Sequence, residues 1–125
     1  MEGDAIQKEV FERFLSYCHS NQIPVVAAAG NSPGQSVAKT YPQRLGTSEN
    51  SLITVGGVTR EGTLYRNTSP KRDGEAGSMT LFAPAVDIDV PSDPRVPNHG
   101  TSQAAAIVVS IPSSFDLYQT VLFAY

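Results

Sequence analysis

The stretch Ile23-Pro24-Val25-Val26-Ala27-Ala28-Ala29 is an unbroken apolar run of strand length, stopped at Gly30-Asn31-Ser32-Pro33-Gly34. A strand with water on one face alternates apolar and polar residues. A run without alternation predicts a strand covered on both faces, as at the centre of a parallel sheet flanked by helices. Pro24 has no amide hydrogen to give to a ladder and suits the strand's first position. The glycine, asparagine and proline cluster that follows is a turn. Gly30 and Asn31 therefore fall at the carboxyl end of a central strand, where open α/β sheets gather binding and reactive groups.

Around this run the remaining elements can be placed. Ile6, Val10, Phe14 and Cys18 recur every fourth residue, with Phe11 and Leu15 beside them, predicting an amphipathic helix from Asp4 to Ser20. Asp4 followed by Gln7 reads as a capping box, and Lys8, Glu9, Glu12 and Arg13 fall on the other face. Residues 35–50 read as loop. Leu52 to Val58 predicts a second strand whose Gly56-Gly57 pair signals close backbone approach or a bulge. Thr59 to Ser78 is polar and turn-rich and reads as solvated surface. Met79 to Pro84 predicts a third strand, and Val86 to Val90 a fourth with Asp87 and Asp89 pointing outward. Pro91, Pro94 and Pro97 stiffen the loop that leads to His99.

A second junction follows. In Gly100-Thr101-Ser102-Gln103-Ala104-Ala105-Ala106-Ile107-Val108 a glycine and two hydroxyls run straight into small apolar residues. Thr101 and Ser102 stand where an N-cap belongs, close to the positive end of the helix dipole. The three alanines predict a helix packed with little clearance. Helix, strands and a final helix make an α/β order. Ser110-Ile111-Pro112 breaks that helix, and the apolar tail Ser113 to Tyr125 starts with residues able to cap a short helix.

Composition removes several function classes. The chain has 125 residues, enough for one modest core. Its net charge is −3 with no basic patch, which argues against nucleic acid as a partner. No apolar run reaches the ~18 residues of a membrane span. Met1-Glu2-Gly3-Asp4 is not followed by the apolar core of a signal peptide. Cys18 is the only cysteine, so no disulfide forms within the chain. Cys18, His19 and His99 make no zinc spacing, and no cofactor is expected. Asn67-Thr68-Ser69 is a glycosylation sequon that matters only if the protein is secreted.

Four segments in order resemble the subtilisin-like serine proteases, the subtilases. Val25 to Asn31 is similar to the family's oxyanion-asparagine segment. Tyr41-Pro42 and then Leu52 to Val58 resemble its next loop and strand. Leu81 to Ile88 resembles its APG-x-x-I segment, with Ala85 where glycine is usual. Gly100-Thr101-Ser102-Gln103-Ala104-Ala105 matches its nucleophile motif, GTS-x-A-[AS]. The resemblance implies a three-layer parallel-sheet α/β fold, present as the second half of the catalytic domain over residues 1–109. Residues 110–125 form an apolar tail that does not match. It implies a serine-type endopeptidase acting on peptide or protein substrate. Ser102 is then the nucleophile. The Asn31 side-chain amide and the Ser102 backbone N–H are the oxyanion donors. Ala28, Ala29 and Gly30 form one wall of the pocket for the residue before the scissile bond. The chemistry explains these residue types: a serine hydroxyl needs a base to become nucleophilic, and the charge on the attacked carbonyl oxygen needs preorganised donors.

The sequence also departs from the family. The aspartate motif (D-[TS]-G) and histidine motif (HGTH-like) belong upstream of Asp4. His99 directly precedes the serine motif and reads as a loop residue. His19 reads as structural, and Asp87 and Asp89 as edge residues rather than a triad acid. Ala106 stands where the family's helix usually has proline. The expectation is a piece of a subtilase catalytic domain cut at both ends, inactive alone, with strand 23–29 left with open edges and the N-terminal half as its missing partner. The family is typically secreted. A non-catalytic, peptide-binding derivative is the alternative. A lipase-like hydrolase would need G-x-S-x-G, which the sequence lacks. Sequencing spliced transcripts tests the expectation: coding sequence upstream of Met1 should carry both missing motifs in frame, and a message encoding only these residues would refute it.

Overall fold

Strand β1 (Val25–Ala28) is the innermost element, each of its four residues 0 % exposed. It lies between β2 (Leu52–Val58) and β4 (Val121–Phe123), and β3 (Leu81–Pro84) pairs with the far side of β2. All three pairings are parallel, giving the order β3-β2-β1-β4. Helix α1 (Glu2–Ser20) precedes the sheet and α2 (Thr101–Val109) follows β3. The structure, a computed structural model, describes residues 2–47, 50, 52–86, 100–109 and 121–123.

Alternation along the strands sends successive side chains to opposite faces. Val26, Ala28 and Val55 pack against Ala104, Ala105 and Val108 of α2. Val25, Ala27 and Leu52 pack against Leu15 and Cys18 of α1. A helix therefore covers each face, as the uninterrupted apolar run required. The chain is an α/β protein with a parallel sheet between helices. Burying a valine or leucine fully contributes about 1.5–3 kcal/mol, so this doubly covered centre dominates stability. The exposed ion pairs of α1, Glu9–Arg13 at 2.7 Å and Lys8–Glu12 at 3.7 Å, are i,i+4 pairs, worth only about 0.3–0.5 kcal/mol each. Burial also pushes the Cys18 thiol above its usual pKa, which keeps it protonated and inert.

Close approach explains the Gly56-Gly57 pair. A Cβ on Gly57 would stand 2.4 Å from the Ala85 Cβ, so Ala85, just after β3, packs directly against the backbone of β2. No bulge is needed there, since β2 and β3 stay in continuous register from Val55↔Leu81 to Val58↔Pro84.

Several expectations require correction. Helix α1 begins at Glu2, so Asp4 lies inside it and does not cap it. Its apolar stripe is buried only toward the end: Leu15 and Cys18 are 3 % and 1 % exposed, while Ile6 and Val10 are 63 % and 59 % exposed. At 3.6 residues per turn a four-residue repeat drifts about 40° per step, so Ile6 and Val10 wind off the face that Cys18 presents to the sheet. Thr59 to Ser78 is not uniformly solvated, because Tyr65, Thr68 and Ser69 are buried. The third strand starts at Leu81 rather than Met79. Part of the tail belongs to the sheet: Val121–Phe123 pairs with Val25–Ala27, and Phe123 stacks edge-on against Phe11 and Phe14 of α1. Strand β1 is consequently flanked on both sides rather than open-edged. The expected strand at Val86 to Val90, with Asp87 and Asp89, lies outside the described residues except for Val86, which is in no strand. His99 and a helix from Ser113 or Ser114 also lie outside them.

This contact on β2 gives a direct test. Gly57→Ala should destabilise the fold by about 1–3 kcal/mol through overpacking. Gly34→Ala, where a Cβ meets nothing within 4 Å, should stay within about 0.5 kcal/mol of the parent. Urea denaturation followed by circular dichroism measures both.

Candidate functional site

All four strands point the same way, so their carboxyl ends share one edge of the sheet. Asn31 emerges there, three residues beyond the end of β1. Helix α2 starts at the same edge. Gly100, held by its N–H to the Ala85 carbonyl at 2.7 Å, hands the chain to Thr101, the first helical residue.

The two junctions meet through Thr101 and Asn31. The Thr101 N–H donates to Asn31 Oδ1 at 2.9 Å. The Thr101 hydroxyl donates to the same oxygen at 3.1 Å and accepts from the Gly30 N–H at 3.1 Å. The first amides of a helix lack partners within it. Here the cap comes from a side chain that is distant in sequence. The cap position is therefore Gly100, and Thr101 and Ser102 are the first two residues inside the helix, which corrects the expectation that they cap it. Thr101 is 0 % exposed, so its hydroxyl needs both of its bonds.

This arrangement also fixes which way the Asn31 amide faces. An N–H donor opposite Oδ1 cannot stand opposite Nδ2, since two donors would meet. Oδ1 therefore faces inward toward α2, and Nδ2 is turned toward solvent, where Asn31 is exposed. Among the described residues Nδ2 makes no hydrogen bond. Ser102, half-buried, is the next residue after Thr101 and sits in the positive end of the α2 dipole.

Beside Asn31 lies a cleft of about 290 Å³, lined in part by Ala29, Gly30, Gln35, Thr40 and Ser69. Among the described residues no ionisable side chain lines it. Ala29 and Gly30 are among the residues that line it. Ala28 does not reach the cleft: its side chain packs under α2, and its carbonyl is taken by the buried Gln43 amide at 2.7 Å. The floor is closed by Ser69, whose hydroxyl lies 2.7 Å from where a Cβ on Gly30 would be. Gly30, at φ +113°, has a backbone that only glycine adopts easily. The Thr40 hydroxyl, buried beside the cleft, has no hydrogen-bond partner among the described residues.

Of the predicted site residues, Asn31 and Ser102 come together at one helix start, and Ala29 and Gly30 line the adjoining cleft. His19 stands apart, in the last turn of α1 on the opposite face of the sheet. Thr101 and Ser69 are the residues that the sequence did not single out. Thr101 was recognisable only as one of two candidate caps, and Ser69 was hidden in a stretch whose composition reads as surface. Among the described residues no cluster of His, Cys, Asp or Glu could hold a metal, and no helix is long and apolar enough to cross a membrane. No family model, curated protein or solved structure matches this chain.

The shared acceptor makes the site's stability testable. Asn31→Ala removes the cap and should cost about 0.5–2 kcal/mol. Thr101→Val strands the Gly30 N–H and should cost about 1–3 kcal/mol. Because both residues serve one network, the double variant should cost less than the sum, as measured by urea denaturation.

Proposed function

We propose that this chain carries the nucleophile and one oxyanion donor of a subtilisin-like serine endopeptidase. The observation that supports this reading most is the orientation of Asn31. Its Oδ1 is held by Thr101, the residue before Ser102 at the start of α2, which leaves Nδ2 facing away from that contact. An amide so anchored needs no reorganisation when charge develops in front of it, which is what makes an oxyanion donor effective.

In this scheme Ser102 Oγ attacks the scissile carbonyl carbon while a base takes its proton. The carbonyl oxygen becomes an oxyanion, accepting from Asn31 Nδ2 and from the Ser102 N–H, with the dipole of α2 adding to the field. Collapse breaks the C–N bond, the base returns the proton to the leaving amine, and water then hydrolyses the acyl-serine. The substrate residue before that bond occupies the uncharged cleft beside Gly30. The base and its orienting acid must come from the subtilase aspartate and histidine motifs, which this sequence does not contain. The 125-residue chain alone should therefore show no turnover, keeping at most the contribution of binding and oxyanion stabilisation.

A second reading, non-catalytic peptide binding by strand addition, is favoured by the outer edges of β3 and β4, which pair with no other strand among the described residues. A fluorophosphonate, which serine attacks with loss of fluoride, separates the two. On the folded chain, with imidazole in solution supplying the base the chain lacks, Ser102 should be modified faster than the exposed Ser16 and Ser32. Asn31→Leu should slow this by up to about 10²–10³-fold, the usual effect of losing one oxyanion donor. Labelling of Ser102 no faster than Ser16, with peptides still binding, would instead establish the binder.

A further inference from the structure

We infer that Ser69 is the positioning residue for Asn31, setting the direction of its Nδ2 by holding the backbone on both sides of it. The inference rests on the reading of Asn31 as an oxyanion donor. The Ser69 N–H donates to the Gly30 carbonyl at 2.8 Å. The Ser69 hydroxyl accepts from the Ser32 N–H at 3.0 Å and donates to the Ser32 carbonyl at 3.1 Å. Both neighbours of Asn31 are thus tied to one residue, itself 5 % exposed.

Ser69 has a firm base. The neighbouring Thr68 hydroxyl accepts from the Gly57 N–H at 3.1 Å and lies 3.4 Å from the Gly57 carbonyl. The Pro70 carbonyl accepts from the Val37 N–H at 2.8 Å. Ser69 therefore lies between Thr68, anchored on β2, and Pro70, anchored on the 3-10 turn at Val37, while Asn31 hangs from the end of β1. Ser69 ties the Asn31 backbone to these anchors. Thr101 fixes the far end of the Asn31 side chain through Oδ1. With the backbone held at one end and Oδ1 at the other, Nδ2 has a single direction.

Removing the Ser69 hydroxyl should act on this geometry more than on folding. Ser32 is exposed, so water can replace the lost partner at its amide and carbonyl, and no buried group is stranded. The glycine at position 30 fits the same design, since any Cβ there would collide with the Ser69 hydroxyl.

The test follows the Asn31 side-chain amide by ¹⁵N–¹H NMR in the full chain, assigned by its loss in Asn31→Leu. Fluorophosphonate labelling of Ser102 is measured in parallel. In the parent, the two Nδ2 protons should give separate signals. Ser69→Ala should draw them toward the averaged position of a free amide and slow Ser102 labelling about 10–100-fold, the scale of a small misplacement at a reacting centre. Ser69→Thr, which keeps the hydroxyl, should restore both. Ser36→Ala serves as control: it removes another buried serine hydroxyl, one that caps the 3-10 turn Val37–Lys39 and bonds to Glu75, and it should lower the melting temperature without moving the Asn31 signals. If Ser69→Ala fails to fold, Ser69→Cys carries the measurement in nearly the same volume. Unmoved Asn31 signals in Ser69→Ala, or equal movement in Ser36→Ala, would overturn the inference. Should Ser102 in the parent label no faster than Ser16, the proposed function falls, and the NMR response alone decides the role of Ser69.

Discussion

A helix that begins inside a protein has to find acceptors for its first amides, and α2 finds one at the end of a different element. Asn31 Oδ1 receives both the amide and the hydroxyl of Thr101, and that hydroxyl in turn receives the Gly30 amide. Two segments distant in sequence are joined through two side chains. In water such bonds contribute about 1 kcal/mol each, but leaving a buried donor unpaired costs about 1–3 kcal/mol. The network therefore acts less as added stability than as a restriction. Few placements of α2 over the sheet satisfy Gly30, Asn31 and Thr101 together.

Small residues make that placement reachable. Ala104 and Ala105 are 0 % exposed and lie directly on Val26, Ala28 and Val55. Larger side chains there would lift α2 away and take Thr101 out of hydrogen-bonding range of Asn31. The absent side chain of Gly57 does the same for the segment after β3, bringing Ala85 down so that its carbonyl can receive the Gly100 amide. The polar site is thus located by apolar packing, and its distances depend on residues that never touch a ligand.

The sequence disclosed what depended on periodicity and punctuation. The run through Ala29 announced a doubly covered strand, and the glycines and hydroxyls around Asn31 and Ser102 marked the two junctions. What it withheld depended on partners far along the chain. Ser69 sits in a stretch of charge and turn residues, and only the fold shows that one face of that stretch is buried. Thr101 and Ser102 are equivalent as cap residues until the structure shows that the cap is Asn31. The apolar tail has the composition of a strand or a helix alike, and only its pairing with Val25–Ala27 tells that Val121–Phe123 is a strand. Ile6 and Val10 fitted a stripe by spacing, but a four-residue repeat winds steadily off the face that Leu15 and Cys18 turn to the sheet.

The position of β4 bears on the order of events during folding. Strand β1 (Val25–Ala28) is closed on one side by β2 and on the other by β4 (Val121–Phe123), a strand far along the sequence from it. Loop-closure entropy has to be overcome before such distant pairing yields any contact energy, and topologies of this kind fold slowly. On the ribosome, β1 would leave the exit tunnel well before β4 and wait for its second neighbour until that strand followed. Throughout that interval one hydrogen-bonding side of β1 would be open to other chains. A nascent chain of this design has reason to engage a chaperone before β4 is made.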